Sequence, residues 1–136
     1  MNLESSPSEL HSLIQYVLIR HGGVRMAILF GSLAKGNASP MSDLDLAVSM
    51  DAPVTTEVKM ALIGDLASAL GRPVDLIDLH EVGEPLLGQI LQHGIRLLGS
   101  DTDHAELIKR HLFADADFMP YQRRILAERR QAWIGN

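Results

Sequence analysis

With 136 residues, 46% of them hydrophobic and 21% charged, the chain has enough apolar content to build one folded core and too much for a disordered segment. The lack of any cysteine excludes disulfides, thiolate zinc sites, iron–sulfur clusters and a cysteine nucleophile. A formal net charge of −5 argues against direct nucleic-acid binding, and no apolar run approaches the roughly 20 residues of a membrane span, so the sequence reads as a cytoplasmic protein with no membrane contact.

In chain order, Ser6, Pro7 and Glu9 have capping-box spacing, with proline at the first helical position. Leu10, Leu13, Ile14, Val17 and Leu18 then form a helical stripe, and Gly22–Gly23 stops it, predicting a helix over 6–21. Residues 24–30 (VRMAILF) are nearly all apolar, as in a central strand covered on both faces. Gly31–Ser32 follows, then a short helix starting around Leu33, then turn chemistry over 36–41 (GNASPM). Residues 43–50 (DLDLAVSM) alternate acid and apolar like a strand with one polar face. After Pro53 a helix carries Val54, Val58, Leu62, Leu66 and Leu70, and Gly71 and Pro73 end it. Residues 74–79 (VDLIDL) predict a third strand, 85–93 a helix ended by Gly94, and 95–98 a short edge strand. From Asp103 onward the pattern is helical, broken near Pro120.

This order gives an α/β (α+β) domain spanning 1–136: a small mixed β-sheet with packed helices, a core over about 24–98 and C-terminal helices over about 103–134. Charge divides unevenly: 11 acidic and 6 basic residues lie in 1–100, against 6 of each in 101–136. The tail's basic residues pair as Lys109–Arg110, Arg123–Arg124 and Arg129–Arg130, a pattern suited to a solvated helix face. Phe118, Tyr121, Ile125 and Trp133 form a partial apolar stripe there, suited to core packing or to docking a partner. The six histidines (11, 21, 80, 93, 104 and 111) include no i,i+4 pair and read as structural or surface residues.

Chemistry concentrates in residues 30–48 (FGSLAKGNASPMSDLDLAV). Side chains two apart on a strand share a face, so Asp43 and Asp45 present two carboxylates side by side, a pair that repels itself unless a cation intervenes. Oxygen-only ligation suits Mg²⁺ or Mn²⁺ completed by water and substrate phosphates. Gly31 allows backbone to approach a ligand closely, and the Ser32 hydroxyl and neighbouring N–H groups suit phosphate oxygens. Lys35 adds a nearby positive charge, and Ser42 completes the candidate nucleotide- and phosphate-binding set. A third carboxylate fits best at Asp75, whose parity opposes its apolar neighbours Val74 and Leu76, whereas Asp78 reads as a turn or capping acid.

Gly31–Ser32, a ten-residue spacer, Asp43-Leu44-Asp45 and a later strand acid together resemble the nucleotidyltransferase superfamily that includes DNA polymerase beta. The resemblance covers roughly residues 24–98 and is narrower still to the minimal nucleotidyltransferase (MNT) antitoxins paired with HEPN toxins. It implies two divalent ions at Asp43 and Asp45, one of them shared by Asp75, and β- and γ-phosphates held by Gly31 and Ser32. Many relatives carry an arginine just after Gly-Ser, whereas here the nearby cation is Lys35. The implied activity is Mg²⁺-dependent transfer of AMP from ATP to a tyrosine hydroxyl of a cognate HEPN ribonuclease, neutralising it. Only about 35 residues lie beyond the core, which favours an acceptor bringing its own binding surface. Two alternatives stay open: a non-catalytic antitoxin that binds its toxin directly, and an adenylyltransferase for an aminoglycoside-like small molecule.

Overall fold

The computed structural model describes residues 6–36 and 42–114. The element order is α1 (Pro7–His21), β1 (Met26–Phe30), α2 (Ser32–Lys35), β2 (Leu44–Ser49), α3 (Thr56–Leu70), β3 (Val74–Asp78), α4 (Leu86–His93) and β4 (Ile95–Leu98). A further helix, α5, is described over 101–114. The rest of the expected C-terminal helices, with Phe118, Tyr121, Ile125 and Trp133, lies outside the described residues.

The four strands form one mixed sheet in the order β3-β2-β1-β4. β1 pairs antiparallel with β2 and with β4, while β2 pairs parallel with β3 through the α3 crossover. Strand alternation sorts the core into two layers. Ala27, Leu29, Leu44, Leu46, Val48 and Leu76 face α1 and α3, burying Leu10, Ile14, Leu18, Leu62 and Leu66 against them. Met26, Ile28, Ala47 and Leu79 face the other way, onto Leu87 and Ile90 of α4, with Leu107 of α5 packed at the margin. β1 and β2 are thus covered on both faces, which accounts for their apolar runs.

Local chemistry sets the boundaries. The Ser6 hydroxyl accepts from the Glu9 N–H at 3.2 Å and the Glu9 carboxylate accepts from the Ser6 N–H at 3.3 Å, so the expected capping box starts α1. α3 begins later than its apolar stripe, because the Thr55 hydroxyl caps it by accepting from Val58 N–H at 3.2 Å. Val54 therefore packs from the preceding loop. α5 starts at 101 rather than 103, where the Ser100 hydroxyl accepts from Asp103 N–H at 3.0 Å. Arg25 binds Asp103 at 3.1 Å and Arg96 binds Asp101 at 2.7 Å, fixing the first turn of α5 to the sheet. At the other end of the described α5, His111 meets Glu84 at 2.6 Å.

Candidate active site

β1 ends at Phe30 and the chain turns at Gly31 with φ 74 and ψ −157, a conformation open essentially to glycine alone. Space makes the same demand. A Cβ at Gly31 would run into the Asp45 carboxylate oxygen, with the Asp45 Cγ only 3.0 Å away. The Gly31 carbonyl accepts from Ala34 N–H and Lys35 N–H, both at 3.2 Å, starting α2 at Ser32, one residue earlier than expected. The backbone of the Gly31–Ser32 corner and the second aspartate therefore touch directly.

Asp43 lies one residue before β2 and is exposed; Asp45 is the second residue of the strand and half-buried. The register places Asp45 opposite Phe30 on one side and Asp75 on the other, so Phe30, Asp45 and Asp75 form one row across the sheet. Their parity is that of Ala47 and Ile77, hence the face carrying α4, at the end α4 does not cover. Burial raises the Asp45 carboxyl above the usual carboxylate range, and the charges of Asp75 and Asp43 push it further the same way. The three acids thus act on one another, although among the described residues they do not close into a three-ligand cluster. An oxygen-only set under mutual repulsion, beside glycine backbone, fits Mg²⁺ or Mn²⁺, which keep water and substrate phosphates as ligands rather than requiring an all-protein cage.

Asp78 takes the structural part expected of it: its carboxylate accepts from Val54 N–H at 2.7 Å and from His80 N–H at 2.9 Å. Ser32 is half-buried and Lys35 exposed at the end of α2. Ser42 is held through its carbonyl, which accepts from Arg72 Nη1 at 3.2 Å. The Arg72 Nε is buried without a partner among the described residues. Arg72 is the residue that sequence reasoning missed: Gly71-Arg72-Pro73 reads only as a helix stop, and no local pattern announces that this turn braces the entry to β2. Pro73 completes the brace, its carbonyl accepting from Leu44 N–H at 2.8 Å. His21 contacts Asp65 at 3.1 Å and the His80 ring lies 2.7 Å from the Met50 carbonyl, placements away from the acids. No helix among the described residues is long and apolar enough to cross a membrane.

A glycine-serine corner thus stands against an acid pair, with a third acid on the adjacent parallel strand. The profile of the family "Polymerase beta, Nucleotidyltransferase" matches residues 13–103, and the chain belongs to that family. Among individual relatives, it is 33% identical over 111 residues to protein adenylyltransferase MntA of Shewanella oneidensis, covering 82% of this chain and 74% of that protein. A crystal structure of a toxin–antitoxin with AMP-PNP superposes with a TM-score of 0.74 at 25% identity, covering 87% of this chain and 96% of that one. The fold also recurs, with a TM-score of 0.65 at 23% identity, in a complex of tri-AMPylated Shewanella oneidensis HEPN toxin with MNT antitoxin. That match covers 89% of this chain and 99% of the other.

Proposed function

We propose that this chain is an adenylyltransferase antitoxin that moves AMP from ATP onto a tyrosine hydroxyl of a cognate HEPN toxin in the cytoplasm. The observation that carries the reading is the Asp45 carboxylate, pressed against Gly31 and sharing its face and charge with Asp75 and Asp43. The protein-modifying activity and the HEPN partner are those named for the relatives.

Asp43, Asp45 and Asp75 would hold divalent cations, Mg²⁺ or Mn²⁺, whose charge offsets that of the triphosphate and the departing pyrophosphate. The N–H groups and hydroxyl at Gly31–Ser32 receive the β- and γ-phosphate oxygens, and Lys35 adds positive charge on the same side. Arg72, through the Ser42 carbonyl, fixes where the chain enters β2 and so where Asp43 stands. Asp75, at the open edge of the row, takes the proton of the acceptor hydroxyl. The acceptor oxygen attacks the α-phosphorus in line, the bond to the α–β bridging oxygen breaks, and pyrophosphate leaves.

The test is the intact mass of the cognate HEPN protein after incubation with this chain, ATP and Mg²⁺, beside Asp43→Asn/Asp45→Asn. Adenylyl-sized increments with the unmutated chain alone are the expected result. A bound partner that gains no mass, or a double variant that still neutralises the toxin, overturns the reading and leaves an antitoxin that acts by docking.

A further inference from the structure

β3 is an end strand, and its inner ladder reveals which of its groups are free. Leu44 N–H donates to the Pro73 carbonyl and Leu79 N–H to the Val48 carbonyl, both at 2.8 Å. In a parallel ladder alternate residues bond inward, so Asp75 and Ile77 turn their backbone groups to β2 while Val74, Leu76 and Asp78 turn theirs outward. The Asp78 carbonyl is used by the following turn, accepting from Glu81 and Val82 N–H groups at 3.1 Å. The backbone groups of Val74 and Leu76 have no partner among the described residues. Beside this edge lies a groove of about 370 Å³, lined by Asp75, Leu76 and Asp78, by Lys59 of α3 and by Glu81.

We propose that the free edge of β3 is the acceptor-docking site, where an extended segment of the protein substrate adds as a fifth strand. The proposal deepens, and rests on, the protein-adenylyltransferase reading. Its geometric argument is the row across the sheet. Phe30, Asp45 and Asp75 lie side by side, and residues side by side on neighbouring strands project to the same face. A strand added outside β3 places its own residue next in that row, about 4.8 Å beyond Asp75, with its side chain on the face of the acids. A hydroxyl at that position lies beside the carboxylate assigned to take its proton. Among the described residues no other unpaired strand edge adjoins the acids, since β4 lies at the far side of the sheet.

The lining also states the partner's chemistry. Apart from Asp75, which is committed to the cations and the acceptor proton, Asp78 and Glu81 outnumber Lys59, so the groove favours a segment carrying basic residues around its hydroxyl residue. Main-chain bonds to Val74 and Leu76 supply affinity without demanding particular side chains, while the row position selects the residue modified.

Hydrogen exchange tests this directly on the full chain bound to its cognate HEPN protein with AMP-PNP and Mg²⁺. Outward amides exchange freely until a strand covers them, so complex formation is expected to slow exchange at Val74 and Leu76 by at least about tenfold. Val74→Pro removes an outward N–H and leaves the inner ladder intact. It is expected to raise the KM for the protein acceptor at least about fivefold while the affinity for AMP-PNP with Mg²⁺ stays unchanged. Adenylylated acceptor with unprotected Val74 and Leu76 amides overturns the docking edge and leaves the activity standing. Protection at both amides without AMP transfer from ATP supports the docking edge and overturns the activity. Absence of both protection and transfer overturns both.

Discussion

Asp45 holds its charge against burial and two neighbouring carboxylates, and that cost makes it useful. Its pKa is raised on folding, so the folded chain binds this proton more readily than the unfolded chain. The cation-free fold therefore carries a penalty at pH above the raised value, and the penalty disappears as pH falls through it. Asp45→Asn is expected to raise the cation-free melting temperature at neutral pH while lowering AMP transfer at least about 10²-fold. The stability gap between wild type and variant should close as pH falls from neutral through the raised value toward the ordinary carboxylate range. A variant that melts no higher than wild type at pH 7 would contradict the repulsion. The acid pair and its partner were legible in sequence because strand parity is a period of two: Asp43 and Asp45 share a face, and Asp75 opposes Val74 and Leu76. Direct contact between Gly31 and Asp45 was not, since it depends on the antiparallel register that brings Phe30 opposite Asp45.

Among elements, the strands and longer helices follow from apolar periodicity, while their ends follow from single polar side chains that periodicity does not see. The stripe beginning at Val54 placed α3 early because Thr55, not the stripe, sets its first turn. The same limit hid Arg72, whose partner Ser42 is 30 residues away in sequence. The turn from β1 to α2 is the most constrained junction. Gly31→Ala combines a disfavoured φ with a clash on Asp45, so it is expected to cost about 2 kcal/mol or more and to weaken nucleotide binding. Chemical denaturation and AMP-PNP titration check the two effects separately. Arg72→Ala is expected to lower kcat more than it raises the KM for ATP, with Arg72→Lys restoring part of the loss. A pure loss of stability with unchanged kcat would remove Arg72 from the positioning of Asp43.

At the scale of the molecule, among the described residues one sheet face is sealed by α1 and α3 and the other only partly by α4 and α5, which do not cover the acid end. Gly94 lets α4 close onto β1, because a Cβ there would stand 2.5 Å from Ile28 Cγ2 and 3.1 Å from the Leu29 carbonyl. Gly94→Ala is accordingly expected to destabilise the whole domain by about 1–3 kcal/mol, read by thermal melting, without altering the acids themselves. Nucleotide with Mg²⁺ is expected to act in the opposite direction, adding about 2.7 kcal/mol at a hundredfold excess over Kd. The same addition should leave the melting of Asp43→Asn/Asp45→Asn unmoved. The small mixed sheet with packed helices was readable from the order of elements, whereas the strand order β3-β2-β1-β4 was not, because nothing local specifies which edges meet.

The parallel pairing of β2 with β3 also has a kinetic consequence. The glycine-serine corner and the first two aspartates come from one hairpin-like stretch of chain, but Asp75 joins them only after the α3 crossover has closed its loop. Contacts of long sequence separation form late, because their chain-entropy cost precedes their reward. During refolding the Gly31 corner can therefore meet Asp45, 14 residues on, before the chain acquires a complete acid row. Completeness of the acid row is thus a property of the closed crossover and not of the hairpin-like stretch by itself.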